Sequence, residues 1–169
     1  MKKLLALLPL FLTGCVSVPD GITPVADFQA DRYLGKWYEI ARLDHSFERG
    51  LTQVSAEYTM QADGGISVLN RGYSEKDKKW KQAEGQASFA GKKDKGFLKV
   101  TFFWPFYGSY IVFDLDQENY RHALVCGPNR SYLWILAREK TLDPKIQDRL
   151  LAKAAASGFE TNKLIFAKP

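Results

Sequence analysis

The residues able to do chemistry are few. His45 and His122 are the two histidines, and Cys15 and Cys126 the two cysteines, in a chain of 169 residues. A histidine serves as general base or metal ligand when a nucleophile, an acid or further ligands surround it. These two stand far apart in the sequence without such company, so surface or hydrogen-bonded structural roles are expected for both. No Gly-x-Ser-x-Gly nucleophile motif occurs, no serine is framed by a histidine and an acid, and no Gly-rich phosphate loop opens a helix. The expectation is a chain with no catalytic residue, no metal site and no cofactor. Apolar density is what it has instead. Phe102 to Gly108 reads FFWPFYG, which is core, the wall of a ligand site, or a surface that meets a partner subunit or a bilayer.

Cys15 is the cysteine whose setting implies chemistry. Lys2 and Lys3 precede an apolar stretch from Leu4 to Leu12, shorter than the roughly 20 residues of a spanning helix. These are the flanks of a secretory signal. Leu12-Thr13-Gly14-Cys15 resembles the bacterial lipobox, Leu-x-Gly-Cys. That resemblance implies a diacylglycerol thioether on Cys15 and cleavage just before it. Val16 stands where inner-membrane retention favours Asp, which implies an outer-membrane lipoprotein on the periplasmic side. Residues 1–14 are then a signal peptide and 15–27 a lipidated, extended or loose tether carrying Pro19, Gly21 and Pro24. Residues 28–169 form the folded domain. With Cys15 acylated, Cys126 has no partner within the chain and is expected as a buried, inert thiol.

The elements that must position any site are strands. Hydrophobic residues make up 46% of the chain and charged ones 25%, the balance of a globular domain. Removing Lys2 and Lys3 takes the formal charge from +5 to +3, too mild and dispersed for nucleic acid. Lysines cluster at Lys76, Lys78, Lys79 and Lys81 and at Lys92, Lys93 and Lys95, both in turn-like stretches. These read as solvated surface, with attraction to anionic headgroups as the alternative. Eight strands follow one another with short links: 37–43, 52–60, 66–73, 80–89, 97–104, 109–115, 120–126 and 132–138. Val54, Ala56, Tyr58 and Met60 alternate with polar neighbours, and Asp63-Gly64-Gly65 is a hairpin turn signal. No crossover helix interrupts them. The fold class is all-β, an eight-stranded up-and-down antiparallel β-barrel. One C-terminal α-helix follows, with Asp143 as N-cap, Pro144 at its first turn and Gly158 past its end. Its one apolar face (Ile146, Leu150, Leu151, Ala154) places it against the outer wall. A last short strand, 164–167, ends the pattern.

Gly35-Lys36-Trp37-Tyr38, then Asp114-Leu115-Asp116 with Tyr120, then Leu136-Ala137-Arg138 resemble the three motifs of lipocalins in their order. Tyr38-Glu39-Ile40-Ala41-Arg42, Phe47-Glu48-Arg49-Gly50-Leu51 and His122-Ala123-Leu124-Val125-Cys126-Gly127-Pro128 are more specific. With the lipobox they resemble the bacterial outer-membrane lipoprotein lipocalins, relatives of apolipoprotein D. The disulfide that ties the C-terminal segment to the barrel in many secreted lipocalins is missing.

The resemblance implies roles. Gly35 opens the motif, Trp37 plugs the closed end of the barrel, and Arg138 covers its indole. Alternation from Trp37 then points Glu39 and Ala41 inward, and alternation from Arg138 does the same for Trp134 and Tyr132. The inner set continues with Val54, Ala56 and Tyr58, then Asn70, then Val100, Phe102 and Trp104, then Tyr110 and Val112. Small side chains at Ala41, Ala56, Gly72 and Ala87 leave room for a ligand. Phe106 and Tyr107 are expected in the turn after the fifth strand, projecting from the rim of the mouth. There they contact ligand, a second copy of the chain in a homodimer, or the bilayer. Glu39, the one inward acid, hydrogen-bonds to a lumen tyrosine or to a ligand headgroup. The expected function is binding: a fatty acid or lysophospholipid lies tail-down in the barrel for transport, storage or scavenging. An envelope enzyme with an isomerase or lipase-like site in the lumen, and a purely structural lipoprotein with a filled lumen, are the alternatives.

Overall fold

The computed structural model describes residues 16–168. The expected signal peptide 1–14 and lipidation site Cys15 lie outside the described residues. Eight antiparallel strands form the wall: β1 (Gly35–Arg42), β2 (Leu51–Met60), β3 (Ile66–Ser74), β4 (Lys79–Phe89), β5 (Phe97–Phe103), β6 (Phe106–Leu115), β7 (His122–Cys126) and β8 (Leu133–Ala137). Each pairs with the next, and β1 pairs with both β8 and β2, which closes the ring. The β1–β2 seam runs only from Gly35 opposite Tyr58 to Tyr38 opposite Ser55. Farther along β1, Ala41 and Arg42 pair with Phe166 and Ile165 of the short strand β9 (Ile165–Phe166).

Two apolar clusters explain the hydrophobic patterning. An inner one holds Trp37, Tyr58, Val68, Leu98, Val112 and Leu136. An outer one holds Ile111, Leu124, Leu133 and Ile135 against the helix α2 (Pro144–Ala156). β7 and β8 are covered on both faces, which is why they read as nearly continuous apolar runs. The first half of β4, Lys79–Glu84, is exposed throughout. β4 meets β5 only from Gln86 onward, so the β3–β4 hairpin extends past the barrel rim. Asp143 caps α2 by accepting from the backbone N–H groups of Lys145 and Ile146. Gly158, at φ +85°, turns the chain so that Phe159 stacks on Phe113 with centroids 5.6 Å apart.

Three features depart from the expected pattern. A four-residue helix, α1 (Ala30–Tyr33), precedes β1 and buries Tyr33; it is too short for a periodic signal. The segment before it, expected extended or loose, is docked on the wall from its first described residues. Ser17 N–H donates to Ser109 Oγ at 2.8 Å, Val25 N–H donates to Val112 O at 2.9 Å, and Ile22 is buried in the outer cluster. The turn between β5 and β6 is also tighter than expected. It consists of Trp104 and Pro105, joined by a cis peptide, and Phe106 and Tyr107 already belong to β6.

Candidate ligand-binding site

The closed end is built around Trp37, which is fully buried. The Arg138 guanidinium lies over the indole at 4.0 Å, and Tyr33 stacks on it at 4.6 Å. The Trp37 Nε1–H donates to Tyr33 O at 2.8 Å. Arg138 also donates to Lys36 O, Arg32 O and Tyr120 O. One side chain therefore ties α1, the start of β1 and the β6–β7 loop across the barrel end. A cation over an indole stabilises by up to about 2 kcal/mol when desolvated.

Above this plug the barrel encloses a hollow that opens at the mouth. Phe28, Ala30 and Leu34 form the floor. Val54, Ala56, Ile66, Val68, Ala87, Leu98, Val100 and Leu136 line the wall. Phe47, Phe102 and Trp134 stand toward the mouth. Polar atoms are sparse and placed in two groups. Low in the barrel, Tyr58 and Tyr33 each pair their hydroxyl with that of Tyr110 at 2.8 Å. Burial pushes all three phenols above their ordinary value, so they stay protonated.

The second group sits near the mouth. Arg42 Nη1 donates to Glu39 Oε1 at 2.5 Å, and its Nη2 donates to Glu48 O and Leu51 O. The Trp134 Nε1–H donates to Glu48 Oε2 at 3.0 Å, and His45 Nε2 lies 3.0 Å from the same oxygen. Glu39, Arg42, His45 and Glu48 are all buried. One guanidinium cannot serve two buried carboxylates equally. Burial and then the negative charge of Glu48 push Glu39 up to about 8. Burial also pushes Glu48 upward, but hydrogen bonds from His45 and Trp134 outweigh it and hold that carboxyl below its ordinary value. At neutral pH Glu39 therefore keeps its proton beside an ionised Glu48. Glu39 Oε2 and Asn70 Oδ1, both buried and both on residues that line the hollow, have no hydrogen-bond partner among the described residues. A buried polar group left unpaired is costly, and both are open to a ligand's polar group.

The sequence-predicted set divides. Glu39, Val54, Ala56, Tyr58, Asn70, Val100, Phe102, Tyr110 and Trp134 line the hollow. Ala41, Val112, Tyr132 and Trp104 do not. A bulge in β1, where Glu39 pairs with Leu136 but Ala41 with Ile135, inverts the alternation. Ala41 packs in the outer cluster, and Arg42 turns in instead. Val112 packs within the inner core without reaching the hollow. Tyr132 lies just before β8 and stacks on Trp134 and Phe47 at the rim. Trp104 forms the turn and is 79% exposed. Arg42 and Glu48, which the sequence reading named only within motifs and gave no place in the barrel, are buried at the mouth beside Glu39. His45 is buried beside Glu48, while His122 sits at the surface with Arg149 Nη2 at 3.1 Å. Cys126 is buried, and burial pushes its thiol up to about 12.

Residues 28–169 match the family model described as a lipocalin-like domain. The chain is 56% identical over 164 residues to the outer membrane lipoprotein Blc of Vibrio cholerae, covering 97% of this chain and 96% of that one. It is 52% identical over 150 residues to the protein of the same name from Escherichia coli K12, covering 89% and 84%. In fold it is similar to insecticyanin of the tobacco hornworm Manduca sexta, with a TM-score of 0.70, 20% identity, and coverage of 90% and 87%. An indole plug under an arginine, an eight-stranded closed wall and a hollow apolar interior all agree with that match: the chain belongs to the lipocalin-like family.

Proposed function

We propose that this protein binds a fatty acid or a lysophospholipid, tail down in the barrel and headgroup at the mouth. In this reading it carries, stores or scavenges that lipid at the cell envelope. The observation that carries the proposal is a hollow walled by apolar side chains whose upper polar atoms, Glu39 Oε2 and Asn70 Oδ1, are unpartnered. Each methylene moved from water into such a hollow contributes about 0.8 kcal/mol. Arg42, beside Glu39, supplies positive charge near the mouth for an anionic headgroup. Binding and release are by partition, and no bond is made or broken. The lipobox and the lipoprotein relatives support acylation of Cys15 and a seat on the periplasmic side of the outer membrane.

Native mass spectrometry of the protein extracted from its own membrane tests the reading. A co-purifying single-tailed lipid is expected, and a barrel that carries no lipid and takes none up sinks it. Cys15→Ser tests the anchor separately, because that variant should no longer fractionate with the outer membrane after a high-salt wash.

A further inference from the structure

Three phenols stand together low in the barrel, and their protons can be counted. Tyr58 and Tyr33 each bond to Tyr110 at 2.8 Å, and none of the three hydroxyls has another partner among the described residues. Each hydroxyl carries one proton, and the two hydrogen bonds use two of the three. Tyr58 donates to Tyr110. The remaining proton then rests on Tyr33 if Tyr110 donates to it, or on Tyr110 if Tyr33 donates. One O–H is unused in either arrangement. All three residues line the hollow. Asn70 Oδ1, a buried acceptor on the same hollow, is bonded to none of them.

The plug sets the level of the three. Tyr33 stacks on Trp37 at 4.6 Å, and Tyr58 stands opposite Gly35, the first residue of β1. From Gly35 to Glu39 the strand covers about 13 Å at ~3.3 Å per residue. A lipid with its headgroup at the mouth therefore meets the phenols with the deep part of its chain. Burial raises all three phenols above their ordinary value, so each keeps its proton. No charged side chain stands beside them in the lining, whose two acids, Glu39 and Glu48, are at the mouth. A carboxylate at the phenols would be buried without a counter-ion, whereas a neutral oxygen needs none.

A tail of methylenes alone leaves the unused O–H buried without an acceptor, which costs free energy. Three phenylalanines would fill the same space without that cost, because replacing all partners by apolar groups of the same shape is nearly neutral. We infer that the barrel selects an acyl chain carrying a neutral acceptor oxygen, a ketone or a hydroxyl, in its deep half, and that Tyr33, Tyr58 and Tyr110 read it. The inference rests on the lipid-binding reading above and adds a chemical class to the tail. The ligand's oxygen accepts the unused phenol proton, and no covalent bond changes. A ligand hydroxyl can also donate its own proton to a phenol lone pair.

Stearic acid and its 12-oxo and 2-hydroxy forms test the inference, each measured by displacement of a fluorescent fatty acid from the full chain. The native protein should hold the 12-oxo acid at least as tightly as stearic acid. With Tyr33→Phe, Tyr58→Phe and Tyr110→Phe combined, the 12-oxo acid should fall about tenfold or more below stearic acid, while stearic acid itself is unchanged. The 2-hydroxy acid, whose added oxygen stays near the mouth, should follow stearic acid. Tyr58→Phe alone leaves two hydroxyls sharing one bond, still with one O–H unused, and should keep the native preference. A native protein that holds the 12-oxo acid more weakly than stearic acid overturns the inference. So does a 12-oxo to stearic ratio that the triple change leaves alone. An equal loss of both acids in the triple variant also overturns it, because the phenols would then hold the carboxylate. Infrared spectra of a carbon-13 ketone give a readout on the native protein even where the triple variant fails to fold. Its stretch should lie below the value in hexane, as for a hydrogen-bonded carbonyl, and a hexane-like stretch overturns the inference. A native protein that takes up none of the acids sinks the lipid-binding reading itself, whereas uptake of stearic acid with rejection of the 12-oxo form sinks this inference alone.

Discussion

Glu39 and Arg42 are hydrogen-bonded to each other just inside the mouth, with side chains only 3% and 5% exposed. The pair exists because of the bulge between them, which brings two residues three apart in a strand to the same face. Regular alternation would have sent them to opposite sides.

The stability of the protein should depend on pH through this pair. In the unfolded chain Glu39 loses its proton near its ordinary value of 4.5, and in the folded chain at about 8. Between those values the folded state holds more protons, so stability falls as pH rises from about 4.5 to 8. Glu48 has the opposite sign. Its folded value is lowered, and its contribution is lost on acidification below the ordinary carboxylate range. Thermal midpoints measured across that range should decline toward alkaline pH, and Glu39→Gln should flatten the decline. An unchanged slope in the variant would remove Glu39 from the account.

Removing the plug should be costly. Trp37→Ala deletes a fully buried indole, removes the ring under the Arg138 guanidinium and loses the bond to Tyr33 O. A loss of about 3–5 kcal/mol is expected in a denaturant melt, a large part of the ~5–15 kcal/mol typical of a domain. A midpoint close to that of the native protein would contradict the role given to the pair.

The tyrosine group makes a graded prediction. Tyr110 shares hydrogen bonds with both Tyr33 and Tyr58, whereas Tyr58 has the bond to Tyr110 alone. At about 1 kcal/mol per buried hydrogen bond, Tyr110→Phe should destabilise about twice as much as Tyr58→Phe. Equal losses would mean the three hydroxyls do not act as a chain.

Two alanines test the phase of the wall. Ala56 lines the hollow and Ala41 packs outside it. Ala56→Phe should lower the affinity for a fluorescent fatty acid by about tenfold or more, about 1.4 kcal/mol, while the melt stays near native. Ala41→Val should do the reverse, destabilising by about 1–3 kcal/mol through overpacking with affinity unchanged. Lost affinity in the second variant would return Ala41 to the lumen.

Much was legible before any coordinates. Strand alternation, the turn residues and the Asp143, Pro144 and Gly158 punctuation are local signals, and the barrel and α2 follow from them. Trp37 and Arg138 could be paired because each is carried by its own short motif. Nine of the thirteen residues expected to face the barrel interior line the hollow, since alternation holds along an unbroken strand.

The failures share a cause. Ala41 was misplaced because one extra residue at Ile40 reverses every side chain after it, and nothing in the local composition marks a bulge. Trp104 was assigned to the wall because the turn came two residues earlier than proline and glycine implied. Sequence alone determined which segments are strands and that an apolar interior must exist, because these depend on neighbours a few residues away. Tertiary structure alone decided that Glu39, Arg42, His45 and Glu48 share one buried cluster, and that Ser17 docks at Ser109. Those are contacts between residues set side by side by strand register and loop return, and a register is a property of two strands together, never of either one alone.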